Sequence, residues 1–359
     1  MFKTTPAVFA VENTYQIMVR RESETMMWVK IGDKCYYDHS NGILRSDTSI
    51  HRMTVPAAVL DSAEEYTICE REIIERKPYF SKTKEVRETK YKFYPVKCGK
   101  KIRAYHIADA HNAIDPPAAA AETYGKIDFL ILNGDIPDHS GTVENFDNIY
   151  ELCGKITKGN IPVVFARGNH DLRGVCAEKL EYYTPTKFGK SYFTVRLGGF
   201  WGLILDCGED KCDLNEEYGH TICCHAFREE ETEFIKEVIS GREYNDDEIF
   251  CKAVIVHNPF TRKDEPPFDI ENDIYNEWTA LLKNDIKPDI MICGHTHTIE
   301  LDTPGSEKDY RGQPCAVAIM SKTDYKDYFA GAGFEFSENE PIKITVTDSN
   351  GDILNKFEV

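Results

Sequence analysis

Apolar runs that stop abruptly at polar residues punctuate the middle of the chain. Residues 161–166, Ile-Pro-Val-Val-Phe-Ala, run into Arg167-Gly168-Asn169-His170-Asp171. A short continuous apolar run reads as a buried strand, and the glycine, amide, imidazole and carboxylate after it deliver polar groups to the rim of a sheet. Four further runs repeat the design: 102–108 before Asp109-Ala110-His111, 129–133 before Gly134-Asp135, 253–256 before His257, and 290–293 before Gly294-His295-Thr296-His297. The pattern predicts strands that end along one shared edge.

Upstream, from about residue 11 to 94, the pattern reads as strands without helices. Tyr15, Ile17 and Val19 alternate with Gln16, Met18 and Arg20, and residues 27–31 and 34–37 flank Gly32-Asp33 as a hairpin. Further runs at 50–56, 66–72 and 90–94 have the spacing of a small sandwich. Proline, glycine and a basic group interrupt the pattern at 95–101 and mark a linker.

Beyond it strands and helices alternate. Pro116-Pro117 opens an alanine-rich helix to about Tyr124, and 143–156, 227–239 and 274–282 carry helical spacing. A hairpin over 192–205, strands at 316–320, 334–336 and 342–346, and a last hairpin around Asn350-Gly351 complete the series. The expected fold class is α/β with a mostly parallel sheet, in two units: residues 1–96, a small all-β sandwich, and residues 97–359.

Composition narrows the function classes. The 359 residues are 41% hydrophobic, enough for one large domain and a small one. No apolar run is long enough to span a bilayer, so no membrane partner is expected. The first twelve residues lack the apolar core of a signal peptide, so a cytoplasmic location is expected. The twelve cysteines lie largely in apolar runs as reduced thiols. Cys207, Cys212, Cys223 and Cys224 with His220 and His225 raise the question of a further zinc site, but paired C-x-x-C knuckles are missing. A net charge of −18 argues against long nucleic acids and leaves small phosphorylated substrates open. The oligomeric state is not fixed by any of this.

In order and pattern (D-x-H, G-D, G-N-H-D, H, G-H-x-H), the stretch from Ile102 to Ser321 resembles the calcineurin-like metallophosphoesterases. The resemblance implies a two-sheet αββα sandwich. Residues 28–32, Tyr36 and Val55-Pro56 are similar to the fibronectin-III-like domain that precedes the catalytic domain in purple-acid-phosphatase-type proteins. It also implies two divalent metal ions, one held by Asp109, His111 and His297, the other by Asn169, His257 and His295, with Asp135 bridging. Oxygen and imidazole donors suit Mn, Fe or Zn without choosing among them.

The implied reaction is hydrolysis of a phosphate mono- or diester by a hydroxide held between the metals. His170 would protonate the leaving oxygen and Asp171 would orient its ring. Asn169, Arg167 and Arg173 are the substrate-binding candidates, although either arginine reads equally well as an ion-pair partner. His139, Phe260, Tyr310 and Arg311 are candidates for a rim. Purple acid phosphatases carry a glycine where His111 stands and a tyrosine where Asp138 stands, which implies a colourless member of the wider group. The rivals are a non-catalytic interaction protein on the same fold and a nuclease. The complete ligand set argues against the first and the acidic balance against the second.

Overall fold

The computed structural model describes residues 5–359, so part of the N-terminal segment read for a leader, residues 1–4, lies outside the described residues. Two large sheets carry the fold. One has ten strands, with Lys101–Ile107, Phe129–Asn133 and Val163–Ala166 parallel at its centre. The other has six, with Phe200–Ile204, Cys251–Ile255, Ile290–Cys293 and Ala316–Met320 parallel.

Side-chain alternation along the central strands explains the layering. Ile131 faces inward and packs in one core with Ile255 and Ile292 of the opposite sheet. Its neighbours Leu130 and Leu132 face outward and pack with Ile149 and Leu152 of the helix Asp147–Thr157. On the far side Leu203, Val254 and Met291 meet Ile235 and Trp278 of the helices Cys224–Gly241 and Asn272–Leu281. Helix, sheet, sheet, helix is the αββα order expected.

Two expectations change. The ligand-bearing strands do not share one sheet: three lie in the ten-stranded sheet and two in the six-stranded one. Nor do the N-terminal strands form a sandwich of their own. Ala7–Val11 pairs in parallel with Val163 on one side and antiparallel with Thr14–Arg20 on the other, and Ile50–Pro56 follows, so all three extend the ten-stranded sheet. Every residue of Ala7–Val11 is buried, as are Gln16, Met18 and Arg20. A strand buried on both faces has no polar side to turn outward, which is why the apparent alternation misled.

Of the remaining N-terminal strands, Thr25–Ile31, Lys34–Tyr37, Glu65–Glu75, Lys82–Thr83 and Arg87–Lys92 form a separate five-stranded sheet, and His39–Ser40 and Ile43–Leu44 a two-stranded one. Met27, Val29 and Ile68 of that sheet join the same core as Ile131. A short helix, Ala57–Ala63, interrupts the stretch read as helix-free. No helix among the described residues is long and apolar enough to cross a membrane.

Candidate metal centre

The two sheets are fastened together where the ligand strings leave their strands. Asn133 is fully buried at the end of Phe129–Asn133, and its side-chain amide donates to the carbonyls of Ile292 (3.0 Å) and Val256 (3.3 Å) in the opposite sheet. Its own carbonyl accepts from Nδ1 of His257 at 2.7 Å. That bond fixes the His257 ring and leaves Nε2 as the nitrogen available to a metal.

Close approach of the loops needs glycine. A Cβ on Gly168 would lie 2.1 Å from Oδ1 of Asp135, and one on Gly134 would lie 2.6 Å from both the Gly168 Cα and the His257 ring. The glycines of the G-D and G-N-H-D strings therefore bring Asp135, His257 and the 168–171 loop together. Asp109, His111, Asp135, His295 and His297 all adopt left-handed backbone conformations, with φ between 43° and 72°. For residues with a Cβ this costs of the order of 1 kcal/mol or more each, and such strain gathers where side-chain aim matters more than backbone comfort.

The donors converge. Asp109, His111 and His297 offer ligand atoms within 4.8 Å of one another, as do Asp135, His257 and His295, and as do His111, Asp135 and His170. Nδ1 of His295 lies 3.1 Å from Oδ1 of Asn169, which brings the amide to the second group. Nε2 of His257 is buried without a hydrogen bond, although Oδ2 of Asp135 is only 3.1 Å away. Two carboxylates, Asp109 and Asp135, are at most 1% exposed. Buried charge of one sign is tolerated when it is paired or binds a cation, so this donor set fits divalent metal ions. Burial pushes the Asp135 carboxyl up, but the imidazoles of His257, His170 and His111 more than offset it and hold it below the usual range. Burial and then neighbouring His257 push His295 down to about 4, which keeps its ring neutral as a ligand must be.

The model of the calcineurin-like phosphoesterases matches residues 102–298. The chain belongs to that family. No curated protein matches it in sequence. Among solved structures, purple acid phosphatase PPD1 from yellow lupin (Lupinus luteus) seeds superposes with a TM-score of 0.59 at 13% identity, covering 99% of this chain and 73% of that one. PhoD superposes with a TM-score of 0.57 at 10% identity, covering 99% and 88%. At these identities the likeness is one of fold.

In this calcineurin-like phosphoesterase a cleft of about 510 Å³ opens over Asp135, Asn169, His295 and His297, with His170 and Arg173 beside them. His170 stands on a single turn of 3-10 helix, His170–Leu172. Its Nδ1 lies 2.8 Å from the carbonyl oxygen of Asp138, and its Nε2 lies 3.2 Å from a guanidinium nitrogen of Arg173. Asp171 does not orient that ring. It is fully buried and accepts from the backbone N–H of Gly168 (2.6 Å) and of Asp135 (3.3 Å), which makes it the clasp of the loop.

Arg167 is likewise corrected. It pairs with Asp206 at 2.6 Å, lies over the Phe227 ring and is absent from the cleft lining, because it precedes the glycine turn and faces the other way. Arg173 does line the cleft, held by Glu209 through two contacts of 3.1 Å. Of the rim candidates only Phe260 lines the cleft. Arg311 is spent on Phe260, Asn272 and Asn276, His139 bonds Asn145, and Tyr310 stays outside.

Cys207, Cys212, Cys223, Cys224, His220 and His225 enter none of the metal-type groups among the described residues, and His225 instead pairs with Glu271 at 2.9 Å. Residues missed from sequence include Tyr325, whose hydroxyl lies 2.7 Å from Nδ1 of His297, and Ser321, whose hydroxyl donates to Asp109. Ser321 repeats the apolar-run-then-polar design after 316–320 and was findable. Nothing in the sequence marks Tyr325.

Proposed function

We propose that the protein is a hydrolase of phosphate mono- or diesters that uses two divalent ions of the manganese, iron or zinc kind. The observation that carries the reading is the convergence of Asp109, His111 and His297 on one point and of Asp135, His257 and His295 on another, from strands of two sheets. Asp109, His111 and His297 would hold one ion and Asn169, His257 and His295 the other, with Asp135 between. Such a pair, when bound, neutralises the phosphate and lowers the pKa of a coordinated water, which supplies a nucleophile near neutral pH.

The chain's own groups do the rest. Asp138 takes the Nδ1 proton of His170 on its carbonyl, so Nε2 is the nitrogen offered to the cleft. In the neutral ring Nε2 is the acceptor facing Arg173, and a proton taken up there would be placed to pass to the leaving oxygen. Arg173, fixed by the buried Glu209, sets the depth of the ring. Tyr325 braces the outer nitrogen of His297, and Oδ1 of Asp138 lies 3.3 Å from that of His111 without a hydrogen bond.

The test is removal of metal with a chelator, add-back of Mn, Zn or Fe, and hydrolysis of paired p-nitrophenyl monoester and diester phosphates. Restored hydrolysis of either ester supports the reading. Inactivity toward both with every metal overturns it.

A further inference from the structure

The cleft has a second half that the metal ligands do not occupy. Phe268 and Ile270 stand on its outer wall, backed by Phe260 and Tyr275, which are 2% and 6% exposed. Phe268 is 41% exposed although its ring faces a concave surface. An aromatic side chain left partly bare beside a site is available for stacking.

The charges on this wall are already matched. Arg173 is held by Glu209, with Asp210 at 3.6 Å and Glu217 at 3.5 Å. Lys211 contacts Glu217 at 2.8 Å and Asp210 at 3.3 Å, and its ammonium lies 5.1 Å from the centre of the Phe268 ring. Asp264 adds a further carboxylate to the lining. Cations that serve carboxylates within the chain offer little to an incoming anion, and a second anionic group bound here would meet like charge.

We infer that this outer half is a subsite for an uncharged aromatic leaving group, so that the ester is the phosphate of an aryl or arylalkyl alcohol carrying no second anionic group. The inference rests on the phosphoesterase reading above and names the substrate class for the same site. Phe268 is the stacking surface, and Asp264, which no ion pair among the described residues engages, is the group that excludes a distal carboxylate or phosphate. A cleft of about 510 Å³ holds one or two rings beside the phosphate.

The test uses the full chain loaded with manganese. Binding of benzylphosphonate, 4-carboxybenzylphosphonate and ethylphosphonate is measured by calorimetry. Hydrolysis is measured on benzyl, 4-carboxybenzyl and ethyl phosphate, each as monoester and as methyl diester. These leaving groups are all primary alcohols, so a preference reports the subsite rather than leaving-group acidity.

Benzylphosphonate should bind about tenfold tighter than either of the others, with kcat/KM in the same order. Phe268→Ala should collapse the benzyl-to-ethyl ratio towards one, and Asp264→Asn should relax the discrimination against the carboxybenzyl compound. Binding of the carboxybenzyl compound as tight as that of the benzyl compound overturns the subsite, as does a Phe268→Ala variant that keeps the benzyl preference. Failure to hydrolyse any of these esters or the p-nitrophenyl esters above with Mn, Zn or Fe, with the binding preference intact, instead overturns the phosphoesterase reading and with it the assignment of the ring to a leaving group.

Discussion

The side-chain amide of Asn133 lies 3.0 Å from the carbonyl oxygen of Ile292, two residues at strand ends in opposite sheets. Asn133 also bonds Val256 and, through its carbonyl, His257. One buried amide thus sets the spacing between the G-D string of one sheet and the H and G-H-x-H strings of the other. Replacing Asn133 with Ala takes a donor from two buried carbonyls, of which that of Ile292 keeps the Val256 N–H. The expected cost is about 2–3 kcal/mol of stability and about a tenfold loss of metal affinity. Urea titration and metal titration of the variant check both, and unchanged metal affinity would show that the sheets need no such fastening.

His170 and Asp171, adjacent in sequence, should fail differently. His170→Ala removes a ring at the cleft and should lower kcat by about a hundredfold or more while the protein retains its metals. Asp171→Ala opens the clasp on Gly168 and Asp135 and should lower stability and metal content together. Kinetics and metal analysis on both variants decide the matter. Full metal retention in Asp171→Ala would contradict the clasp.

Gly168→Ala places a methyl group 2.1 Å from Oδ1 of Asp135. The loop must then shift, and metal affinity should fall more than tenfold with the fold intact by circular dichroism. Normal affinity in this variant would mean that the 168–171 loop has slack which the packing denies.

His106 gives a pH signature separate from the ligands. It is fully buried, its Nδ1 faces the carbonyl of Met320 at 3.3 Å and its Nε2 faces the Asn133 amide at 3.2 Å, so the neutral ring has a partner at each nitrogen, the amide's two hydrogens being shared with the Ile292 and Val256 carbonyls. Burial pushes it down to about 4 from an ordinary 6.5. As pH falls below 6.5 the unfolded chain takes up this proton first, so stability is lost progressively until about pH 4 and no further below it. The contribution is of the order of 3 kcal/mol. Urea midpoints of metal-free protein at pH 7 and 4.5 should draw apart in the natural chain and less so in His106→Gln. An equal drop in both would remove His106 from the account.

Much of the centre was legible because each ligand string is contiguous with the strand that delivers it. Gly134-Asp135 follows its apolar run directly, and so does Gly294-His295-Thr296-His297. What sequence could not carry was direction across a turn. Asp171 sits one residue from His170, yet the 3-10 turn sends its carboxylate back to Gly168 while the carbonyl of Asp138, more than thirty residues earlier, meets the ring. Arg167 shows the same limit on the other side of the glycine. The pairing of Ala7–Val11 with Val163 was hidden for a different reason: its partner is remote, and a strand buried on both faces carries no pattern that names its neighbour.

The account stands on two cations sharing Asp135. Inductively coupled plasma analysis of the purified full chain, beside an Asp135→Asn variant, measures this most directly. Two equivalents of divalent transition metal per natural chain, falling below one in the variant, is the predicted result. A natural chain that binds no metal even after incubation with excess Mn, Zn and Fe would contradict it.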